Sequence, residues 1–472
     1  MSINVMTDKK NSLEQYSTIH CQNLIRKYSG TGILKQKNNK GYPCEFEVGQ
    51  LVDGRIVLTC DCPDSYMHDF QEEISLDTAQ GFKFFEGLTN KSESITGKIN
   101  SCTKLANGIE SFSLTFFLKE ICVNSNNHEN LQQIAFGITN FKFEGNKFNG
   151  TVLTLDIEEL ERLEIKKINE YEDTLNFLKA FKGICITCEI IVWINTESDI
   201  ENVKTIVTDL CKIMSIAQGR KIEWIYYYIF NDEGKIVLQK HENRITKPFS
   251  AIEIIDEKPE DMQKFIESSY KALVKNQYLL KDNLYIVNAY IDAKLQTDFL
   301  EQRGLKLALV TELLKELLLK SRPELELIIS EEVFKKLSLD LQTALKKVLK
   351  QNSDLDSNSR GKVYENIRGL NRTPFQDILS YFCKYINLQV DPQELQLIIK
   401  CRNSLVHTGT FFCRNNECTD DYKIKYSQFQ SPVSEYFYLL NFVDKCFLKL
   451  LCYEGFYIDW SNPSEIEKKE LM

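Results

Sequence analysis

The first half of the chain alternates short apolar runs with clusters of turn-forming residues, a pattern typical of antiparallel β-structure. After a polar leader of about 27 residues, turns are predicted at Asn38-Asn39-Lys40-Gly41 and at Asp53-Gly54, and the second is a hairpin signal. The predicted strands cover residues 33–37, 44–48, 55–60, 81–87, 94–100, 110–123 and 133–143. We therefore predict an antiparallel β-sandwich or barrel-like region over about 28–155.

The pattern changes near 155–170, where helical periodicity starts to alternate with strand-like runs. Helices are predicted at 171–181 and 199–217, and strands at 184–194, 223–230 and 235–239. This order predicts an α+β subdomain that ends near Asp256. Whether it forms one region with the preceding strands or is divided from them at 155–170 stays open.

From Pro259 onward the apolar residues recur at helical spacing. Predicted helices cover 262–280, 299–320, 331–350, 363–369 and 374–386, with a polar break over 351–361. A helix that starts at Asp391 and a closing helix from Ser431-Pro432 to Tyr453, with Gly455 as its C-cap, complete the set. The prediction is a multidomain α+β chain with a β-rich N-terminal region over 28–258 and a C-terminal all-α helical bundle over 259–457.

Composition narrows the class of protein. With 472 residues, two or three domains are expected. No apolar run reaches the length of a transmembrane helix and no signal region is present, so we expect a cytoplasmic protein without a membrane partner. Residues 1–258 carry 29 basic and 37 acidic side chains, against 29 and 30 in the remainder. Contact with a polyanion would therefore depend on local basic clusters.

One predicted helix carries polar residues of types that can act in catalysis, in the sequence Arg402-Asn403-x-x-x-His407. Asn403 and His407 are four residues apart and share a face, whereas Arg402 and His407 diverge by roughly 140° on an ideal helix. Imidazolium in a last helical turn and a permanently charged guanidinium suit proton transfer at a phosphodiester. A simpler alternative is that Arg402 pairs with a surface carboxylate and His407 caps the helix.

This block resembles the signature of the HEPN superfamily, small helical domains of which many are metal-independent ribonucleases. Thr408-Gly409 and the chain upstream look most like the Apea-type branch, which is associated with abortive-infection defence against bacteriophage. The segment 210–219, followed by Ile222-Glu223-Trp224, also resembles a recurring stretch in the N-terminal half of such proteins. The resemblance to HEPN covers roughly 259–457.

The resemblance implies a metal-independent endoribonuclease in which Arg402, Asn403 and His407 are catalytic. Because Arg402 and His407 point in diverging directions, we expect two copies of the chain to complete a site as a homodimer. The resemblance also implies a polar residue on an earlier helix, for which Glu301 is the candidate to orient Arg402 or His407. An exposed carboxylate at a helix N-terminus is the simpler reading of Glu301.

A basic run follows the predicted polar break. Its members, Arg360, Lys362, Arg368 and Arg372, could contact RNA phosphates or form a solvated basic loop. RNA, a phage-derived trigger and an antitoxin are the expected partners. The alternative function is a non-catalytic HEPN module that binds RNA or protein, and a plain scaffold is a third possibility.

Cofactor chemistry has little support in the sequence. GxxxxGK[ST], GxGxxG and HExxH motifs are absent, and no cofactor or metal is predicted. The cysteine arrangements considered are Cys185/Cys188, Cys60/Cys62 with His68, and Cys413/Cys418. Strand alternation separates the first pair, the second lacks a fourth ligand, and a disulfide in the third would be unusual in the cytosol.

Overall fold

The computed structural model describes residues 24–36, 40–63, 81–107, 111–125, 131–146, 150–194, 199–250, 252–275, 283, 285–351, 356–462 and 465–471. The described residues up to Lys271 form one compact unit and those from Ala272 onward form a second. The described part of the first unit is an antiparallel β-region with two helices and most of a third, and that of the second unit is mainly helical. The predicted multidomain α+β class is confirmed in this form.

The first six strands form a closed antiparallel barrel. They are β1 Leu24–Gln36, β2 Gly41–Leu51, β3 Ile56–Pro63, β4 Phe82–Thr89, β5 Ser94–Asn107 and β6 Ser111–Asn124. Their order is β3-β2-β1-β4-β5-β6, and pairing of β3 with β6 closes the ring. Alternate residues such as Tyr42, Phe85 and Phe116 fill the interior. Gly30 is required where β1 meets β4, because a Cβ there would lie 2.0 Å from the Leu88 carbonyl oxygen.

Six further strands extend the same sheet, because β6 also pairs with the last of them. They are β7 Leu131–Thr139, β8 Val152–Leu155, β9 Leu163–Lys167, β10 Ile186–Trp193, β11 Trp224–Asn231 and β12 Ile236–Glu242. The order continues β12-β11-β7-β10-β9-β8. Strand β7 therefore belongs to this part of the sheet, although the sequence analysis had placed it with the barrel strands. The short strands β8 and β9 were not predicted.

Two helices belong to this part of the sheet. Helices α1 (Tyr171–Phe181) and α2 (Ile200–Gln218) agree with the predicted helices. Helix α2 ends where Gly219 adopts the left-handed conformation with φ of 59°. The Trp224 indole of β11 donates a hydrogen bond to Thr208 of α2 at 2.9 Å, which ties the helix to the sheet.

A buried histidine lies where the barrel joins the rest of the sheet. His241 of β12 is fully buried and its Nδ1 lies 2.8 Å from Gln50 Oε1 of β2. The Gln50 amide nitrogen donates to the carbonyls of Ile225 and Glu242, so its oxygen is the acceptor and Nδ1 of His241 is the donor. His241 Nε2 lies 3.1 Å from the Tyr28 hydroxyl of β1. Burial lowers the pKa of His241 to about 3.

The second unit consists mainly of helices. Helix α3 (Pro259–Lys275) spans the boundary between the two units. The helices that follow it are α4 Tyr285–Ala293, α5 Leu300–Ser321, α6 Glu331–Gln351, α7 Ser357–Asn366, α8 Phe375–Tyr385, α9 Pro392–Thr408, α10 Asp420–Lys425 and α11 Pro432–Leu450. A hairpin of β13 (Phe456–Asp459) and β14 (Glu467–Glu470) follows. The predicted domain boundary at 258/259 falls at the start of α3, whereas the division between the compact units falls inside that helix.

Some elements of this unit were missed or misplaced. Helices α4 and α10 and the β13–β14 hairpin were not predicted, and α7 begins at Ser357, inside the predicted polar break at 351–361. Helix α11 ends at Leu450, so Gly455 is not its C-cap. No helix in the described part of the chain has both the length and the apolar character that crossing a bilayer requires.

A buried ion pair joins α11 to the residue after α4. Lys294 Nζ lies 2.9 Å from Asp444 Oδ1, and both side chains are fully buried. The Tyr290 hydroxyl also donates to Asp444, and the Tyr290 ring stacks on Phe447 at 4.3 Å between centroids. A buried charge is tolerated only when it is paired in this way.

Candidate functional site

Helix α9 begins at the residue that the sequence indicated, and it ends at a glycine. The Asp391 carboxylate accepts a hydrogen bond from the Gln393 amide at 2.7 Å, and Pro392 occupies the first helical turn. Gly409 follows the helix with φ of 70°, in the left-handed region. Buried apolar residues such as Ile398 and Leu405 fix one face, so the remaining faces present the polar block.

Arg402 is held by an acidic residue of α5. Its Nη2 donates to Glu312 Oε1, and its Nη1 donates to the neighbouring Asn403 Oδ1 at 2.7 Å. The guanidinium carbon lies 4.6 Å from the centre of the Phe375 ring, at the start of α8. The side chain is only 14% exposed, and its Nε is buried without a hydrogen-bond partner among the described residues. Three helices therefore fix the position of this arginine.

Glu312 connects this arginine to a second cation. Its other carboxylate oxygen lies 3.0 Å from Lys315 Nζ, one turn further along α5. Lys315 also contacts Glu316 at 3.1 Å. The carboxylate is therefore shared between Arg402 and Lys315, and its negative charge is compensated on both sides.

His407 lies apart from this network. It is exposed in the last turn of α9, and its imidazole makes no hydrogen bond or ion pair with the described part of the chain. Asn403 is partly buried and is the one residue of the block that shares a face with His407 and also contacts Arg402. The structure thus brings Arg402 and Asn403 together, while His407 points in the direction that helical spacing predicts.

The turn after α9 is fixed by a buried carboxylate that the sequence analysis missed. Glu435 of α11 is fully buried and accepts hydrogen bonds from the amides of Phe412 and Cys413, both at 2.8 Å. Burial raises the pKa of Glu435, and these amide hydrogen bonds oppose the shift. Its position in the first turn after the Ser431 N-cap gave no sign of this contact, because helix N-termini commonly carry exposed glutamates.

Glu301 does not contact either residue that it was expected to orient. Its carboxylate accepts a hydrogen bond from Arg414 at 2.7 Å, and both side chains are substantially exposed. The carboxylate that contacts Arg402 belongs to Glu312 on the same helix α5, eleven residues further on. Helical periodicity could not distinguish between these two glutamates.

The basic run is spread over two elements. Arg360 and Lys362 lie on α7, where Arg360 is partly buried and Lys362 is exposed. Arg368 lies in the short 3₁₀-helix Ile367–Asn371, and exposed Arg372 follows it with a β-bridge to Leu327. The elements that carry the basic run are therefore different from α9, which carries Arg402 and His407.

The cysteines considered in the sequence analysis are buried or partly buried where the structure describes them. Cys185 is partly buried, whereas Cys60, Cys62, Cys188, Cys413 and Cys418 are buried. His68 lies outside the described residues. Among the described residues, no cluster of three or more potential ligands could hold a metal ion.

Comparisons of the chain with protein-family models, with curated proteins and with solved structures found no match. The geometry of the site and the resemblance of its sequence block are therefore the basis for a functional proposal.

Proposed function

We propose that the C-terminal unit is a HEPN-type, metal-independent endoribonuclease of an antiphage abortive-infection system. The observation that carries this proposal is the arrangement of α9. A guanidinium is held in a fixed position by Glu312, Asn403 and the Phe375 ring, while an exposed histidine lies on the same helix. A fixed positive charge and an accessible proton-transfer group are the two elements that cleavage of a phosphodiester requires.

In this mechanism the 2′-hydroxyl of the RNA attacks the adjacent phosphorus as an internal nucleophile. His407 transfers a proton to or from the reacting oxygens, and Arg402 stabilises the charge that builds on the phosphate. Asn403 holds the Arg402 guanidinium through its side-chain oxygen. The products would carry a 2′,3′-cyclic phosphate and a 5′-hydroxyl, and no resident metal takes part.

The divergence of Arg402 and His407 supports a site shared by two chains. One copy would supply Arg402 and the other His407, across a two-fold axis near α9. Exposed apolar residues on the two helices that carry Glu312 and Arg402 support such a contact. Leu305, Leu309 and Val406 are 45%, 50% and 41% exposed, respectively. Apolar surface of this kind is typical of interaction sites when it is contiguous.

A non-catalytic HEPN module that binds RNA or protein is the second candidate. The observation that favours it is the Arg402–Glu312 ion pair, because the carboxylate already neutralises the guanidinium and the arginine side chain is only 14% exposed. A phosphate that bound Arg402 would have to compete with the negative charge of Glu312. In this alternative Arg402 is structural and His407 is a surface residue.

The N-terminal unit fits a sensing or regulatory role within the proposal. Its acidic excess would repel RNA, so we assign it to restraint of the nuclease or to recognition of a phage-derived trigger or antitoxin. The basic residues Arg360, Lys362, Arg368 and Arg372 are proposed RNA contacts. The whole system would act in the cytoplasm.

Incubation of the purified chain with total RNA in excess EDTA tests the proposal. The ribonuclease should cleave RNA under these conditions, and His407→Ala should not. Gln396→Ala is the matched control, because Gln396 is also exposed on α9 and has no role in the mechanism. Cleavage that disappears with EDTA and returns with magnesium would overturn the mechanism, whereas RNA binding without cleavage would favour the second candidate.

Mixing two inactive variants tests the shared site. Arg402→Ala and His407→Ala chains each lack one group, and a mixed dimer would retain one complete site. Recovery of part of the activity after mixing is the expected result. An active protein that is strictly monomeric in sedimentation would contradict the shared site and leave the chemistry to a single chain.

A further inference from the structure

The segment between α5 and α8 has almost no core of its own. We refer to residues 323–372, which include α6 and α7, as the α6 lobe. Among the lobe residues whose burial the structure describes, only Leu349, Ile367 and Asn371 are buried. Its exposed large apolar side chains are Ile328, Val333, Leu337, Leu339, Leu341, Val348 and Leu370. Exposed apolar surface of this extent indicates an interaction site.

Most of this surface belongs to one stripe along α6, a helix of 21 residues. The stripe, which we call the α6 seam, consists of Val333, Leu337, Leu341, Ala344 and Val348. All five are exposed, with values of 56% at Val333 and 46% at Leu337. Intervals of three and four residues are those of a helix that packs lengthwise against another helix.

The side of α6 that faces its own unit is a different stripe. Phe334, Leu345 and Leu349 are the apolar residues of α6 with reduced exposure, and they are displaced from the seam by about 100° around the helix axis. The seam is therefore a second apolar face, and the described part of the chain leaves it open to solvent.

The charges along α6 indicate the partner. The helix begins with Glu331 and Glu332 and ends with Lys346, Lys347 and Lys350, while Lys335, Lys336 and Asp340 lie between these ends. A copy of α6 placed antiparallel would bring the acidic end of each helix to the basic end of the other. A parallel copy would bring like charges together at both ends.

The spacing of the seam also allows an antiparallel copy. Its intervals are four, four, three and four residues, so the stripe reads nearly the same in both directions. With Leu341 near the two-fold axis, Val333 faces Val348 of the other copy and Leu337 faces Ala344. An isologous two-fold interface requires such an arrangement, in which the same surface of both copies makes the contact.

We propose that the α6 seam is a self-association surface on which a second copy of this chain docks antiparallel. This contact is separate from the shared site proposed at α9 and does not depend on ribonuclease activity. If both contacts form, the chain has two isologous interfaces and assembles beyond a dimer.

An exchange of charges tests the proposal in the full chain. Variant A carries Glu331→Lys and Glu332→Lys, and variant B carries Lys347→Glu and Lys350→Glu. Each variant has like charges at both ends of α6, so its self-association should weaken by roughly tenfold or more. A mixture of A and B has opposite charges at both ends and should associate as the natural chain does. Sedimentation equilibrium measures all three.

Two controls separate this contact from effects within one helix. A chain with all four exchanges has inverted but complementary ends, and it should associate again although its charges now oppose the helix dipole. Glu454→Lys with Glu470→Lys adds the same positive charge at exposed positions outside the lobe and should leave association unchanged. Variants A and B that associate as the natural chain does, or that fail to recover on mixing, overturn the proposal.

Cross-linking gives an answer even if the charge variants fold poorly. Leu341→Cys places a thiol near the proposed two-fold axis, and a short bis-maleimide should join two chains there. Leu339→Cys is the matched control, because Leu339 is 59% exposed and lies on the far side of α6. Equal cross-linking of both variants, or none at Leu341→Cys, would show that two chains do not meet at the seam and would overturn the proposal.

Discussion

The buried histidine at the junction of barrel and sheet makes the stability of the N-terminal unit dependent on pH. His241 is enclosed by Tyr28, Tyr226 and Tyr228, and its Nδ1 donates to Gln50. Desolvation is the main cause of its low pKa, and the nearby positive charge of Arg26 adds to it. The imidazole therefore stays neutral in the folded chain at pH values where an unfolded chain would be protonated.

The sign and size of the effect follow from the two pKa values. The folded value of about 3 lies some 3.5 units below the unfolded value near 6.5. Stability is fully present above pH 6.5 and falls by about 1.4 kcal/mol per pH unit as the pH decreases toward 3, because the unfolded state then binds the extra proton. Between pH 7 and pH 5 the expected loss from this residue is about 2 kcal/mol.

Replacement of His241 by glutamine isolates this contribution. His241→Gln should lower stability at pH 7 through imperfect packing, but its loss between pH 7 and pH 5 should be smaller than that of the natural chain by about 2 kcal/mol. Urea unfolding followed by tryptophan fluorescence measures the difference. Two of the three tryptophans, Trp193 and Trp224, lie in the N-terminal unit, so Trp460→Phe as the common background restricts the signal to it.

The control for this experiment is the exposed histidine of the other unit. His407→Gln should leave the pH dependence of this unfolding transition unchanged, because the residue lies beyond Lys271. If His241→Gln and the natural chain lose the same free energy between pH 7 and pH 5, the buried neutral imidazole is not the origin of the pH dependence.

Three further predictions concern the helical unit. Lys294→Met should lower the free energy of unfolding in urea by about 3–5 kcal/mol, because it leaves Asp444 buried without a counter-charge. Adding Asp444→Leu should recover much of this loss, and a double variant as unstable as the single one would contradict the reasoning. His407→Ala should reduce RNA cleavage by roughly 10²–10⁴-fold without loss of helical circular dichroism, and undiminished cleavage would exclude proton transfer by this residue. Glu312→Gln removes the carboxylate charge that pairs with Arg402, so RNA should bind several-fold more tightly in a fluorescence-anisotropy titration. Unchanged binding, or binding that stays equally tight when Arg402→Ala is added, would refute a phosphate-binding role for Arg402.

The sequence by itself determined the local elements and their ends. Alternation of apolar and polar residues located most of the strands, and Asp391 and Ser431 cap the helices that they were expected to cap. These features depend on residues a few positions apart, so a single stretch of chain contains all the information. The Arg402-Asn403-x-x-x-His407 block was found in the same way.

Only the tertiary structure decided which distant groups meet. Periodicity assigns a residue to a face, but the partner of that face comes from another part of the chain. Closure of the barrel depends on the pairing of β3 with β6. The contact of Arg402 with Glu312 rather than with Glu301 depends on how α5 lies beside α9. Buried Glu435 looked like an ordinary surface residue of a helix N-terminus for the same reason, since burial is set by packing and not by local sequence.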